Sequence, residues 1–169
     1  MKRGIVFALV IGVGVALGWF SRAALEPSRP QAMIAMFREY CLPLRQEQQV
    51  NPTGLEELTL APAERYWMDA KRGFVLSIDQ QHCDITDLLT PLPQADLPEL
   101  NASIDAMIAQ DFPELYQADT DAMWHLFRLW ESHRPPAPNR WGISLIRWSA
   151  DPLPNGGSTT TLSLFRPSS

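Results

Sequence analysis

A short stretch, SIDQQHCDITD (residues 77–87), contains residue types that support three different kinds of chemistry. Cys83 follows His82 directly and lies among three acids, which fits a reactive thiol, a metal ligand or half of a disulfide. A thiol nucleophile needs a base aligned with it in space, yet adjacent residues of a strand point to opposite faces. A metal site needs three or four ligands, and this stretch matches no familiar ligand spacing. The choice therefore depends on the compartment.

The first 23 residues indicate that compartment. Lys2 and Arg3 precede an uncharged apolar run over residues 5–20, and small residues follow, as in an export signal. The run of 16 residues is slightly shorter than the roughly 17 to 25 that a membrane-spanning helix needs. Residues 1–23 are thus predicted to be either a cleaved signal peptide or a retained signal anchor. Both alternatives place the rest of the chain outside the cytoplasm.

In an oxidising compartment, Cys41 and Cys83 are predicted to form a single disulfide, because they are the two cysteines of the chain. They lie 42 positions apart. Closing a loop of that length removes about 4 kcal/mol of chain entropy from the unfolded state in the simplest treatment. The disulfide would therefore supply a large part of the stability of a small domain.

Length and charge limit the remaining function classes. Residues 24–29 are predicted to be a short linker and residues 30–169 a single exported α+β domain. The first 23 residues hold three of the 14 cations and none of the 19 acids, which leaves 11 cations against 19 acids, a net charge of −8. Such a balance disfavours nucleic acid and anionic lipid as partners. The chain has no zinc spacing or phosphate loop, so no cofactor or metal is expected, and membrane contact is expected only through residues 5–20.

Hydrophobic periodicity predicts two helices. The first begins near Ser28, places Met33, Phe37 and Cys41 on one face, and should end or kink near Leu42 because Pro43 follows. The second is predicted over residues 97–111, with an apolar stripe at helical spacing. Its members are Leu97, Leu100, Ile104, Met107 and Ile108. Cys41 is therefore expected to point inward, towards the sheet.

Alternating residues predict an antiparallel sheet of about five strands, in the order α-β-β-α-β-β-β. Residues 65–86 are expected to contain strands with a turn at residues 69–73 and a second turn or bulge at Gln80 and Gln81. Residues 45–62 are expected to be polar and turn-rich, with at most a short helix around Leu55 to Leu58. The segment 122–132 fits a helix or a doubly buried strand, and we favour the strand because two alternating segments follow it. Both helices should pack on the sheet.

Aromatic and guanidinium side chains dominate the second half of the chain and could form a binding surface, since both types are favoured at interfaces. The residues predicted for it are Trp124, Arg128, Trp130, Trp141, Arg147 and Trp148. The simpler alternative is that most of them fill the core. His125 and His133 are the remaining acid or base candidates. We assign no catalytic residue, because no nucleophile motif surrounds any serine or histidine.

Three functions are compatible with these patterns. The first is a non-catalytic protein-interaction domain of the bacterial envelope, periplasmic or anchored in the inner membrane, with an envelope protein as its partner. A periplasmic binder of a small ligand or glycan through a concave, tryptophan-lined site is the second. A hydrolytic enzyme without a recognisable motif is the third, and it requires a cleft with a perturbed acid or histidine.

Overall fold

A computed structural model describes residues 26–46, 48, 50–61, 64–120, 126–149 and 158–166. The predicted signal or anchor segment, Trp124 and His125 lie outside these ranges. Within the part of the chain that is described, no helix has both the length and the apolar character needed to cross a membrane.

Helix α1 is a continuous helix of three segments, Arg29–Met36, Phe37–Cys41 and Leu42–Arg45. It begins at the predicted residue, because the Ser28 hydroxyl accepts a hydrogen bond from the Gln31 amide. It does not end at Leu42, however. The middle segment is a π-helical turn in which the Leu42 amide donates to the Phe37 carbonyl. This wider turn accommodates Pro43, whose ring would otherwise clash with the preceding turn.

Helix α2 spans Leu97–Asp111 and follows a 3₁₀ turn at Gln94–Asp96. Its five predicted stripe residues are all buried, which confirms the helical prediction for this segment. The Ser28 hydroxyl donates to the Glu99 carboxylate over 2.5 Å, so the N-terminal ends of the two helices lie side by side. The helices also contact each other along their length.

Eight antiparallel strands form one sheet, and the prediction of about five strands was therefore too low. The strands are β1 (Glu56–Ala61), β2 (Glu64–Asp69), β3 (Phe74–Ile78), β4 (His82–Thr86), β5 (Tyr116–Gln117), β6 (Leu126–Glu131), β7 (Gly142–Ser149) and β8 (Ser158–Phe165). Their spatial order is β1-β2-β3-β4-β8-β7-β6-β5. The α+β class and the two packed helices are as predicted, and the segment from residue 126 is a strand.

The predicted number of strands was too low for three local reasons. β1 replaces the expected short helix, because pairing with β2 outweighs the helix-forming tendency of Glu56 and Glu57. β5 is only two residues long, which is too short to show the alternating hydrophobic pattern of a strand. Gln80 and Gln81 form a true turn rather than a bulge, since the Asp79 carboxylate accepts hydrogen bonds from the Gln81 and His82 amides, each at 2.6 Å. That turn divides one predicted strand into β3 and β4.

The described part of the chain consists of two halves with the same element order. Each half begins with a helix and continues with four antiparallel strands, β1–β4 in the first half and β5–β8 in the second. The last strands of the two halves pair at the centre of the sheet, where Cys83 lies opposite Leu164 and Ile85 opposite Leu162. The β4–β8 ladder is thus the seam between the halves.

The main core lies between the two helices and one face of the sheet. Alternate residues of the central strands point into it, including Leu76, Ile85, Leu162 and Leu145, which are neighbours across four strands. The opposite face, on which neither described helix packs and which we call the helix-free face, carries the intervening residues. Val75 and Leu129 are buried there, outside the core between helices and sheet.

Cys41 and Cys83 form a disulfide, as the sequence predicts, and both side chains are fully buried. Their Cα atoms are 5.4 Å apart, within the usual range for this bond. Cys41 is the last residue of the π-helical turn and Cys83 lies in a central strand, so the bond fastens helix α1 to the middle of the sheet.

Replacing both cysteines with alanine should lower the free energy of unfolding by about 4 kcal/mol, because the unfolded chain loses a 42-residue covalent loop. Urea denaturation followed by circular dichroism measures this change. The wild-type protein unfolded in the presence of a reductant is the matched control and should give the same midpoint as the double variant. Equal midpoints for the oxidised wild type and the double variant would contradict the assigned role.

Candidate functional site

Arg128 and Trp130, two residues of the predicted binding surface, pack against each other on the helical side of the sheet. The Arg128 guanidinium lies 4.4 Å from the centroid of the Trp130 ring, and Trp130 is only 3% exposed. Asp105 of helix α2 pairs with the same guanidinium at 2.5 Å. The pair therefore joins the sheet to helix α2 and offers little aromatic surface to a partner.

Trp141 lies at one end of the same side and is also engaged within the domain. Its ring stacks under the Arg45 guanidinium at 4.1 Å and contacts the Phe112 ring edge to face at 5.7 Å. Arg45 in turn pairs with Glu114 at 3.0 Å. Trp141 thus holds the end of helix α1 against the residues that follow helix α2.

Arg147 and Trp148 point to opposite faces of β7, as strand parity predicts. Arg147 lies opposite the fully buried Thr160, on the helical side. Trp148 lies opposite Thr159 on the helix-free face and is 44% exposed. Among the described members of the predicted surface, Arg128 and Trp130 lie next to each other as a packed pair. His133 is exposed in the loop after β6, where its Nδ1 lies 2.9 Å from the Ser132 hydroxyl.

A row of short polar residues crosses the helix-free face, and sequence analysis did not single it out. Strand register places Ser77, Asp84, Ser163 and Ser144 side by side on β3, β4, β8 and β7. We call these four residues the polar row. Directly paired residues of antiparallel strands have Cβ atoms about 5 Å apart, so their side chains interact. The Ser163 hydroxyl donates a hydrogen bond to the Asp84 carboxylate.

Burial raises the pKa of the Asp84 carboxyl, and the Ser163 hydrogen bond and the nearby His82 offset this only in part. Glu131 provides a contrast on the same face. Its carboxylate is almost fully buried, but Arg140 lies 3.0 Å from it. No arginine or lysine in the described ranges comes within ion-pair distance of Asp84. Asp84 is therefore a half-buried acid with an incompletely compensated charge.

Apolar side chains and further hydroxyls surround the polar row. Val75 and Ile146 lie in the next row, separated by Thr86 and Thr161, whose hydroxyl oxygens are 3.1 Å apart. Leu129 continues the polar row on β6. On this face Ser144, Ser163, Val75 and Leu129 are only 5% to 8% exposed. Ser77, Asp84, Thr161 and Ile146 are half-buried and remain partly accessible.

A separate cleft lies on the helical side, between the end of helix α1 and strand β2. Its volume is about 750 Å³, and half-buried Trp67 and Ile78 form its apolar wall. Arg65 and Glu57 supply one charge of each sign. An aromatic wall beside polar groups is suited to a small polar ligand such as a sugar.

The chemistry considered for residues 77–87 does not assemble around Cys83. Its sulfur is committed to the disulfide, and Asp84 points to the face opposite Cys83 and Asp87. Asp87 is fully buried and accepts hydrogen bonds from the Leu92 and Thr160 amides at 2.6 Å. No group of three or more potential metal ligands occurs within the described ranges.

No family model, no curated protein and no solved structure matches this chain. The candidate sites therefore rest on the geometry of the chain itself.

Replacing Asp84 with asparagine should stabilise the protein at about pH 7. A carboxyl whose folded pKa is raised above its ordinary value of 3.8 lowers the free energy of unfolding as pH rises through that window. Asparagine keeps an acceptor for Ser163 and removes the charge. The difference between variant and wild type should vanish at about pH 3, where both side chains are neutral.

Denaturation midpoints measured across the pH range test this expectation. Asp96→Asn is a matched control, because Asp96 precedes helix α2 on the other side of the sheet. A D84N variant that is less stable than wild type at neutral pH would show that the ionised carboxylate stabilises the fold.

Proposed function

We propose that this protein is a non-catalytic interaction module of the bacterial envelope, and that its helix-free face binds a partner protein presenting a basic side chain to Asp84. The observation that carries the proposal is the position of Asp84 at the centre of a sheet face whose opposite side is covered by both described helices. An exported α+β domain with no assigned catalytic residue is consistent with that role.

Charge complementarity supports a basic contact on the partner. Asp84 is the charged member of the polar row, and the sequence after residue 23 carries a net charge of −8. A lysine or arginine side chain is already positively charged at neutral pH. Placed over the polar row, it would form an ion pair with the Asp84 carboxylate. Partly desolvated charge pairs of this kind contribute strongly to specificity, because a partner without the cation leaves the acid unpaired.

The dimensions of the helix-free face support a protein rather than a small molecule as its ligand. Eight strands at a spacing of about 4.8 Å give a sheet roughly 34 Å wide. Protein interfaces combine apolar groups with hydrogen-bonding groups on nearly flat surfaces of that size. The half-buried side chains of Ile146 and Thr161 would border a central polar contact at Asp84.

Photocrosslinking in the native envelope tests the proposal. A photoreactive amino acid at Ser77 or Thr161, on the helix-free face, should form a discrete adduct with one protein. The partner peptide in that adduct should carry a lysine or arginine. The same reagent at Ser103, on helix α2, is the positional control and should not give this adduct.

Charge reversal completes the test. Asp84→Lys should abolish the adduct, whereas Asp96→Lys on the helical side should preserve it. Circular dichroism checks that both variants fold. The intact mass after thiol alkylation, measured with and without reduction, checks that both form the disulfide. An adduct of equal yield from the folded D84K variant would overturn the role given to Asp84, and equal adducts from Ser103 would overturn the choice of face.

The Trp67 cleft supports the small-ligand binder as a second candidate function. Its volume of about 750 Å³ lies within the range of known ligand pockets, and its wall combines an indole with Arg65 and Glu57. It fits the concave, tryptophan-lined site that this function requires, although with one tryptophan rather than several.

Soluble fragments of the cell wall, titrated against the protein, should change its tryptophan fluorescence saturably if the cleft binds them. The change should disappear in Trp67→Phe and persist in Trp141→Phe, since Trp141 is stacked against Arg45 and does not line the cleft. No saturable change in the wild type, or an unchanged response in W67F, would exclude this candidate for those ligands.

A further inference from the structure

Three large apolar side chains are markedly exposed in the described part of the chain, and all three lie at one end of the sheet. Leu88, Leu89 and Trp148 are 51%, 52% and 44% exposed. The Asp87 amide donates to the Thr160 carbonyl on one side of β8, and Trp148 pairs with Thr159 on the other. Two interstrand spacings therefore separate Leu88 from Trp148, about 10 Å. We call these three residues the apolar end.

The loop that presents the two leucines is held firmly by buried groups. Asp87 fixes its start through both carboxylate oxygens, which accept hydrogen bonds from the Thr160 and Leu92 amides. Leu92 is only 2% exposed and anchors the other end in the core. Between these two anchors, Leu88 and Leu89 project outward. The exposure is thus a consequence of ordered structure and not of a loose loop.

Basic residues lie beside the apolar end. Lys71 and Arg72 occupy the turn between β2 and β3, and their side chains are exposed. Gly73 closes this turn against the leucine loop, since a Cβ atom on it would lie 2.6 Å from the Thr90 hydroxyl oxygen. Glu26 pairs with Lys71 at the surface, where ion pairs are weak. Asp69 is largely buried and accepts hydrogen bonds from the amide and the guanidinium of Arg72, each at 3.0 Å.

The described chain also begins at this end. Arg29, in the first turn of helix α1, donates through its guanidinium to the Thr90 carbonyl of the leucine loop. Glu26 lies near Lys71, at an oxygen-to-nitrogen distance of 3.8 Å. The apolar run predicted as an export or anchor segment ends at Phe20. Six residue steps, even fully extended, span roughly 20 Å.

We infer that the apolar end is a membrane contact, through which Leu88, Leu89 and Trp148 enter the surface of the bilayer that holds the retained N-terminal segment. The short tether places this end near the bilayer in every orientation. Leucine side chains favour the acyl region, and tryptophan favours the interface between acyl chains and headgroups. Lys71 and Arg72 would lie at the level of anionic headgroups.

The overall negative charge of the domain does not oppose this contact. Electrostatic forces between exposed charges fade beyond about 8 to 10 Å at physiological salt, so distant acids have little effect at the apolar end. The two local cations, Lys71 and Arg72, are balanced by Glu26 and Asp69, and the three apolar side chains therefore carry the contact. The polar row and its acid lie further along the strands. The contact would hold the sheet upright on the bilayer, with the helix-free face accessible from the side.

Quenching by brominated lipid tests the inference with the full chain. The protein is reconstituted into vesicles of phosphatidylethanolamine and phosphatidylglycerol, with and without brominated acyl chains, and tryptophan fluorescence is compared. Trp148→Phe should lose a component of the quenching that wild type shows. Trp141→Phe is the matched control, because Trp141 lies about 23 Å along β7 from Trp148, and it should retain that component. Trp19 contributes equally in all three proteins.

A second variant tests the leucines. Leu88→Ser with Leu89→Ser should reduce the quenching of Trp148, and the exposed positions should leave folding unchanged. Equal quenching of wild type and W148F by brominated lipid would overturn the inference. A second result would also overturn it: Trp148 is shielded from aqueous iodide in native membranes but not in lipid vesicles that contain no other protein. That result would mean that another protein, and not lipid, covers the apolar end.

Carbonate extraction separates this inference from the anchor prediction. If carbonate releases the protein while the Trp148 component of quenching persists, the membrane contact stands and the retained anchor is wrong. If the protein resists carbonate and Trp148 is not quenched by brominated lipid, the anchor stands and the contact is wrong. The photocrosslinking result on the helix-free face is independent of both.

Discussion

Strand β4 is hydrogen-bonded on both sides, and most of the molecule depends on its register. The ladder with β8 joins the two halves of the chain, and the disulfide from Cys83 fastens helix α1 to the same strand. Because side chains alternate along a strand, a slip of one residue would exchange the two faces. The covalent bond requires Cys83 to face the helices. Asp84 must consequently face the other way, and the polar row follows from that requirement.

Features encoded by spacing and by pairs of rare residues could be predicted from the sequence. The stripe of helix α2 and the cysteine pair belong to this group, because a helical period and a total of two cysteines each leave few alternatives. Strand β1 could not be predicted, since its residues favour a helix locally and become a strand only through pairing with β2. Asp84 was visible in the alternation of HCDIT, but only the register identifies its serine neighbours on three strands.

The aromatic and arginine residues illustrate a different limit. Their types are typical of interfaces, yet Arg128 lies over Trp130 and Arg45 over Trp141 within the domain. The same cation–π contact that attracts a ligand also ties one element to another, and residue type does not distinguish the two. Distance along the chain conceals the second pair, because Arg45 belongs to the first half and Trp141 to the second. Exposure, which depends on the whole fold, distinguishes Trp148, at 44%, from Trp130, at 3%.

The two ends of the described chain lie at opposite ends of the sheet, and this has a mechanical consequence. Glu26 is close to the β2–β3 turn, whereas the amide of Arg166 bonds to the Gln81 carbonyl at the far end of β4. A pulling force applied between them would pass along helix α1 to Cys41, through the disulfide to Cys83, and across the β4–β8 ladder. Residues 42–82 form a covalent loop outside that path. Strands β1, β2 and β3 would therefore bear no tension, and the ladder at the seam would set the force that the domain withstands.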